Sequence, residues 1–223
     1  MRDALLRRSF ERGAGMPREP MSVWSENDQT TLLTELDPSH LPKWDDLTEF
    51  MKMFIGYDIG MEFGRSYSFT ARITPILLNR WKTKGADLME NVEQRLRRDL
   101  GKLGMRGLAF CYAVETRTRS GRSATQPHLH GYCICDNPVD STRFKVALER
   151  ALYLGVSRVG KRSTVQVKPS FDFMDEFIGR AHWLEYRTKN IDRWNVLLGK
   201  RRIFMSRPLL GMVREAWEIR SAE

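Results

Sequence analysis

Two histidines separated by a single residue, His128 and His130, lie in the run Pro127-His128-Leu129-His130-Gly131-Tyr132. On an extended strand, side chains two apart point to the same side, so both imidazoles can reach one metal ion from one sheet face. Leu129, Gly131 and Cys133 then face the other way and offer an apolar or small-residue surface for a core. A strand histidine standing alone is ordinarily a hydrogen-bonded, half-buried residue. Here two of the chain's four histidines share one strand, and that concentration favours ligation.

A second group of reactive side chains comes later. His182, Tyr186 and Lys189 are spaced by four and by three, which places them on one face of a helix. A phenol that ionises only near pH ~10 is a weak nucleophile at neutrality. A divalent cation on a scissile phosphate, with an ammonium close by, lowers the barrier to its attack. The competing reading of Tyr186 is plain amphipathic packing. Glu115, at the end of a strand that precedes the histidine strand across a hairpin, can bring a carboxylate to the two imidazoles if the strands pair. An exposed strand-end glutamate is the alternative.

The elements that must position these groups are legible in the periodicities. Residues 67–74 alternate apolar with polar or small side chains and stop at Pro75, as a first strand does. Residues 87–102 carry Leu88, Met89, Val92, Leu96 and Leu100 at helical spacing. Residues 108–115 form a second strand, and a long hairpin loop from Arg117 to Gln126 leads into the histidine strand. A helix capped by Ser141 follows, then a short strand over 164–168 ended by Pro169, then a long helix from Phe171 to about residue 190. Strand, helix, strand, strand, helix, strand is the order of an α+β, ferredoxin-like split βαβ antiparallel sheet. Residues 1–60 read as an N-terminal extension, partly flexible, with a short helix around 47–54. Residues 61–192 read as the domain, and residues 193–223 as a basic C-terminal helical extension containing Lys200-Arg201-Arg202.

Composition narrows the partners. Thirty-seven Lys and Arg against 28 Asp and Glu give a net charge of +9, which favours an anionic partner such as nucleic acid. Three cysteines are too few for a disulfide framework, so reduced thiols and a soluble cytoplasmic protein are expected. No run of 18 apolar residues occurs, so no membrane partner is expected. The stretch from Gly155 to Arg162 is like a phosphate-binding loop, but arginine stands where Ser or Thr is needed, and the segment follows a helix instead of a strand. No nucleotide site is expected from it.

His-hydrophobic-His on a strand, followed about one βα unit later by Tyr186-Arg187-Thr188-Lys189 on a helix, resembles the HUH endonuclease superfamily, and within it the rolling-circle replication initiators with a single tyrosine. The segment Phe69-Thr70-Ala71-Arg72-Ile73-Thr74-Pro75 is a plausible counterpart of their leading-strand motif, and the resemblance covers about residues 65–192. A histidine-triad hydrolase would need a third histidine where Tyr132 stands, and a cupin a glutamate that Ile134, Cys135 and Asp136 do not supply. The resemblance implies that His128 and His130 bind Mg²⁺ or Mn²⁺, with Glu115 or else His182 as third ligand. It implies that Tyr186 cuts single-stranded origin DNA and stays joined to the 5′ phosphate, assisted by Lys189. Arg117, Arg119 and Arg122 of the hairpin, with Arg72 of the first strand, are expected to contact DNA. No helicase follows, so a host helicase would unwind the DNA. Single-tyrosine transposases and small relaxases share the chemistry, and a non-catalytic nucleic-acid-binding module is the reading from a different class.

Overall fold

The computed structural model describes residues 43–62, 65–83, 87–117, 123–152, 165–170 and 203–221. Five strands, β1 (Ser66–Arg72), β2 (Ala109–Arg117), β3 (Ser123–Ile134), β4 (Val165–Pro169) and β5 (Ile203–Met205), form one sheet in the order β4-β1-β3-β2-β5. Every neighbouring pair is antiparallel. Five α-helices accompany them among the described residues: α1 (Glu49–Glu62), α2 (Pro75–Thr83), α3 (Leu88–Lys102), α4 (Pro138–Leu152) and α5 (Arg207–Ser221). None of them is long and apolar enough to cross a membrane.

The two-residue period of the strands divides the interior into two layers. Phe69 and Ala71 of β1, Phe110, Tyr112 and Val114 of β2, and Leu129 and Cys133 of β3 pack with Leu77 of α2, Leu96 of α3, and Phe144 and Leu148 of α4. On the opposite face, Ala109, Cys111 and Ala113 of β2 and Tyr132 of β3 pack with Phe50, Met53 and Tyr57 of α1 and with Leu209 and Val213 of α5. The even-numbered residues of β3, His128 and His130 included, therefore belong to the α1–α5 face. Cys111, Cys133 and Cys135 are free and buried.

Local chemistry fixes the helix starts. Asp87 caps α3 by accepting from the Glu90 amide at 3.0 Å, a contact worth about 1 kcal/mol, and the helix buries the stripe Leu88, Met89, Val92, Leu96 and Leu100. For α4 the cap is Asn137, whose Oδ1 accepts from the Asp140 amide at 3.0 Å; the Ser141 hydroxyl instead donates to the Pro138 carbonyl at 2.8 Å. The cap thus sits four residues earlier than the sequence suggests, because Pro138 occupies the first helical turn, where its missing N–H is harmless.

Three elements depart from the sequence reading. The hairpin is tighter than a loop from Arg117 to Gln126, since Arg117 pairs with Ser123 after a register shift between Glu115 and Arg117. α1 runs to Glu62 and buries Phe50, Met51 and Met53, so it belongs to the core. The C-terminal segment contributes β5, paired with β2 through Cys111↔Met205, and α5 packs on the same face as α1. A three-residue strand with every side chain buried shows no alternation to read.

Candidate functional site

β3 is central, so each of its residues has a cross-strand neighbour on both sides. His128 lies between Arg72 of β1 and Glu115 of β2, and His130 between Thr70 and Ala113. β4 adds Gln166 beside Thr70. Of the residues singled out from sequence, the fold thus brings His128, His130, Glu115 and Arg72 together on one sheet face.

The two imidazoles stack nearly parallel, with ring centroids 5.9 Å apart and planes inclined by 8°. Register places Glu115 opposite His128, but its carboxylate reaches diagonally to His130, with Oε2 at 3.1 Å from Nε2. On the other side of the same ring, Thr70 Oγ1 lies 3.2 Å from Nδ1. His130 is 7% exposed, so these contacts hold both nitrogens of a buried ring. The pKa of His128 is lowered, first by burial and then by nearby His130 and Arg72, with Glu115 pulling the other way. The neutral imidazole required of a metal ligand is thereby favoured.

Tyr132 closes one end of this group. Its ring is fully buried, packs edge-on against Tyr57 at 5.1 Å, and its hydroxyl donates to the Met53 carbonyl at 2.7 Å. At the other end Arg72 is exposed and presents a cation beside His128. Beneath the histidines, Gly131 permits a close strand approach: a Cβ there would stand 2.0 Å from the Cys111 carbonyl oxygen and 2.8 Å from Phe69 Cζ.

Two imidazoles and a carboxylate together make a mixed nitrogen and oxygen donor set, a chemistry that divalent metal ions take in general. Nε2 of His130 and Oε2 of Glu115, 3.1 Å apart, are in direct hydrogen-bond contact with each other. Among the described residues no group of three or more His, Cys, Asp or Glu is arranged so that it could hold a metal ion.

Tyr186, Lys189, His182, Arg119 and Arg122 lie outside the described residues, as does the side chain of Arg117, whose backbone ends β2. Thr70 is the site residue that sequence reasoning passed over. Its two-residue spacing from Arg72 signals a shared face, but its contact with His130 depends on the β1–β3 register. Comparison with protein-family models, with curated proteins and with solved structures returns no match.

Proposed function

We propose that the chain is a metal-dependent endonuclease of the HUH type, which nicks and rejoins single-stranded DNA to start rolling-circle replication of a plasmid, phage or related mobile element. The observation that carries this reading is the convergence of His128, His130 and Glu115 on one face of adjacent strands, as the strand register sets it. The strand order β4-β1-β3-β2 supports a ferredoxin-like split βαβ core, with β5 added at the edge.

In this reading His128, His130 and Glu115 would hold a divalent cation, whose chemistry would be charge stabilisation at the scissile phosphate. The Tyr186 hydroxyl gives up its proton to solvent as its oxygen attacks phosphorus; the new bond joins tyrosine to the 5′ phosphate, the bond to the 3′ oxygen breaks, and that oxygen takes up a proton. Lys189 stabilises the developing charge. A later 3′ hydroxyl reverses the exchange, because the phosphotyrosine retains an ester bond. Arg72, exposed next to His128, binds an adjacent backbone phosphate.

A second reading is favoured by the direct His130–Glu115 contact: a basic nucleic-acid-binding module in which these groups serve only to hold the sheet together. Incubation with a single-stranded oligonucleotide library and Mn²⁺ separates the two. The endonuclease gives a protein–DNA adduct that survives denaturation and is lost in Tyr186→Phe, while the Phe variant still binds DNA. Binding that persists in chelator, with no adduct under any condition, establishes the module and refutes the nuclease.

A further inference from the structure

On the side of the sheet away from the histidines, α3 and α4 lie antiparallel, and each gives an arginine to the end of the other. Nε of Arg95 on α3 donates to the Ala151 carbonyl in the last turn of α4 at 2.6 Å, and Arg143 on α4 donates to the Leu103 carbonyl just past α3. A cation there meets a carbonyl that the helix leaves without an internal partner, at the negative end of the helix dipole. The two contacts also fix which flanks of the helices meet.

Seven residues make two helical turns, so Lys102 shares the flank of Arg95, with Arg98 between them, and Arg150 shares the flank of Arg143. The seam is therefore edged by cations from both helices over about 10 Å. Asp99, 3% exposed, pairs with Arg98 at 2.9 Å and stands 3.7 Å from Lys102, and Asp140 pairs with Arg143 at 3.4 Å. Five cations against these two carboxylates leave an excess of three positive charges, and Arg98, Lys102, Arg143 and Arg150 are exposed. The pKa of Arg95 is lowered, first by burial and then by Arg98, with Asp99 opposing and Arg80 of α2 adding to the repulsion. An anion laid along the seam offsets that crowding of like charge.

The uncharged surroundings narrow the kind of anion. Phe144 of α4 is fully buried, and the exposed large hydrophobic residues among those described, Ile76, Val139 and Ile219, include no aromatic ring. Proteins hold single strands by stacking bases on aromatic side chains, whereas a duplex, whose bases already stack on one another, is held through its phosphates. Charge without a stacking platform suits the duplex.

We propose that the α3–α4 seam binds the phosphate backbone of double-stranded DNA, as a second nucleic-acid surface across the sheet from His128. The choice of DNA over RNA rests on the nuclease reading above; the seam itself uses neither a cation nor Tyr186. A duplex held here leaves the other face of the sheet to the strand that is cut.

The test is binding of the full-length protein to a short fluorescent DNA duplex of arbitrary sequence, followed by anisotropy in chelator at increasing salt. Lys102→Gln combined with Arg150→Gln removes two phosphate contacts, so the slope of log affinity against log salt is expected to become shallower by about 1.8. Lys102→Arg combined with Arg150→Lys keeps both charges and is expected to keep the wild-type slope. Binding of an oligo(dT) single strand is expected to change less than about twofold in either variant. An unchanged slope in the Gln variant overturns the proposal. So does an equal fall in the charge-keeping variant, which would assign the effect to helix packing, or an equal loss of oligo(dT) binding, which would assign it to net charge. Tighter binding of an RNA duplex of the same sequence overturns the choice of DNA. The expected slopes without a denaturation-resistant adduct uphold this inference and refute the nuclease, and an adduct with an unchanged slope does the reverse.

Discussion

Gly131→Ala is the perturbation whose effect the structure defines most sharply. The new Cβ would lie 2.0 Å from the Cys111 carbonyl oxygen, 2.8 Å from Tyr112 Cα and 2.8 Å from Phe69 Cζ. The first two are backbone atoms, so no rotamer change relieves the overlap. An ordinary carbon–oxygen contact needs about 3.3 Å, so β3 and β2 must part by roughly 1 Å, against an interstrand spacing of about 4.8 Å. Two or three ladder hydrogen bonds are stretched beyond useful geometry at about 1 kcal/mol each, and overpacking against Phe69 adds about 1 kcal/mol or more. The expected loss is about 3–4 kcal/mol, a large share of the stability of a domain this size, with a fall in melting temperature of about 10 °C. Urea unfolding followed by circular dichroism measures the first quantity and a thermal scan the second. The same displacement moves β2 away from β3 and draws Glu115 off His130, so Mn²⁺ affinity should fall even at temperatures where the variant is folded. A loss below about 1 kcal/mol, with Mn²⁺ binding unchanged, would refute the claim that glycine is required for the strand approach under the histidines.

His128→Ala should abolish adduct formation at any Mn²⁺ concentration, whereas chelator should inactivate the wild type reversibly; activity in the Ala variant without metal contradicts the ligand role. Arg72→Ala should weaken binding to single-stranded DNA and make the slope of log affinity against log salt shallower by about 0.7, one phosphate contact's worth; an unchanged slope removes Arg72 from the interface. Burial holds the Cys111 and Cys133 thiols well above their ordinary range, while in the unfolded chain they ionise near pH ~8.5. Stability from these two groups is therefore fully present below pH ~8.5 and declines as pH rises, because the unfolded state releases protons that the folded state keeps; the loss at pH 10 is about 2 kcal/mol per thiol. Urea midpoints at pH 8 and pH 10, compared with those of Cys111→Ala and Cys133→Ala, measure it, and a midpoint independent of pH would show the thiols accessible to water in the native state.

What the sequence disclosed, and what it withheld, divides along one line. Periods of two and of 3.6 residues, with loop and proline signals at their ends, located β1, β2, β3, β4, α3 and α4 to within a few residues; α3 and α4 each have one buried and one exposed face, whereas β2 and β3 are buried on both. α2 was missed: Pro75 ends a strand and also starts a helix, with the Leu77 amide directed to Thr74 Oγ1 at 3.4 Å, and Ile76 at 62% exposure blurs the apolar stripe. β5 was missed because Ile203, Phe204 and Met205 are all buried and no alternation survives. Spacing alone placed His128 and His130 on one face, and proximity across a hairpin suggested Glu115. The diagonal reach of Glu115 to His130, and Thr70 on the ring's far side, depend on pairings between residues 15 and 60 apart in the chain. No local pattern encodes those.

The division of the α1–α5 face gives the site its physical character. Toward one end of β3, Tyr132 is sealed by Tyr57, Leu209 and Val213, so that part of the face is a dry wall. Two residues earlier His130 is still buried but held by polar partners, and two residues earlier again His128 is half-buried with exposed Arg72 at its side. Polarity thus rises along β3 in steps of about 7 Å, from apolar packing through a satisfied imidazole to a half-buried imidazole beside the exposed guanidinium of β1. An ion between His128 and His130 would have its back to the wall, where water is excluded and the electrostatic interaction is strong, and its front toward Arg72, where an anionic backbone can approach. Substituting Tyr132 by Phe probes the wall: it removes the hydroxyl that donates to the Met53 carbonyl, which keeps its partner within α1, so a loss of about 1 kcal/mol in stability is expected. If the wall also sets the field at the site, Mn²⁺ affinity in folded Tyr132→Phe should stay near that of wild type, since the ring and its exclusion of water remain; a large loss of affinity would mean that the hydroxyl, and not the apolar packing, governs the ion's surroundings.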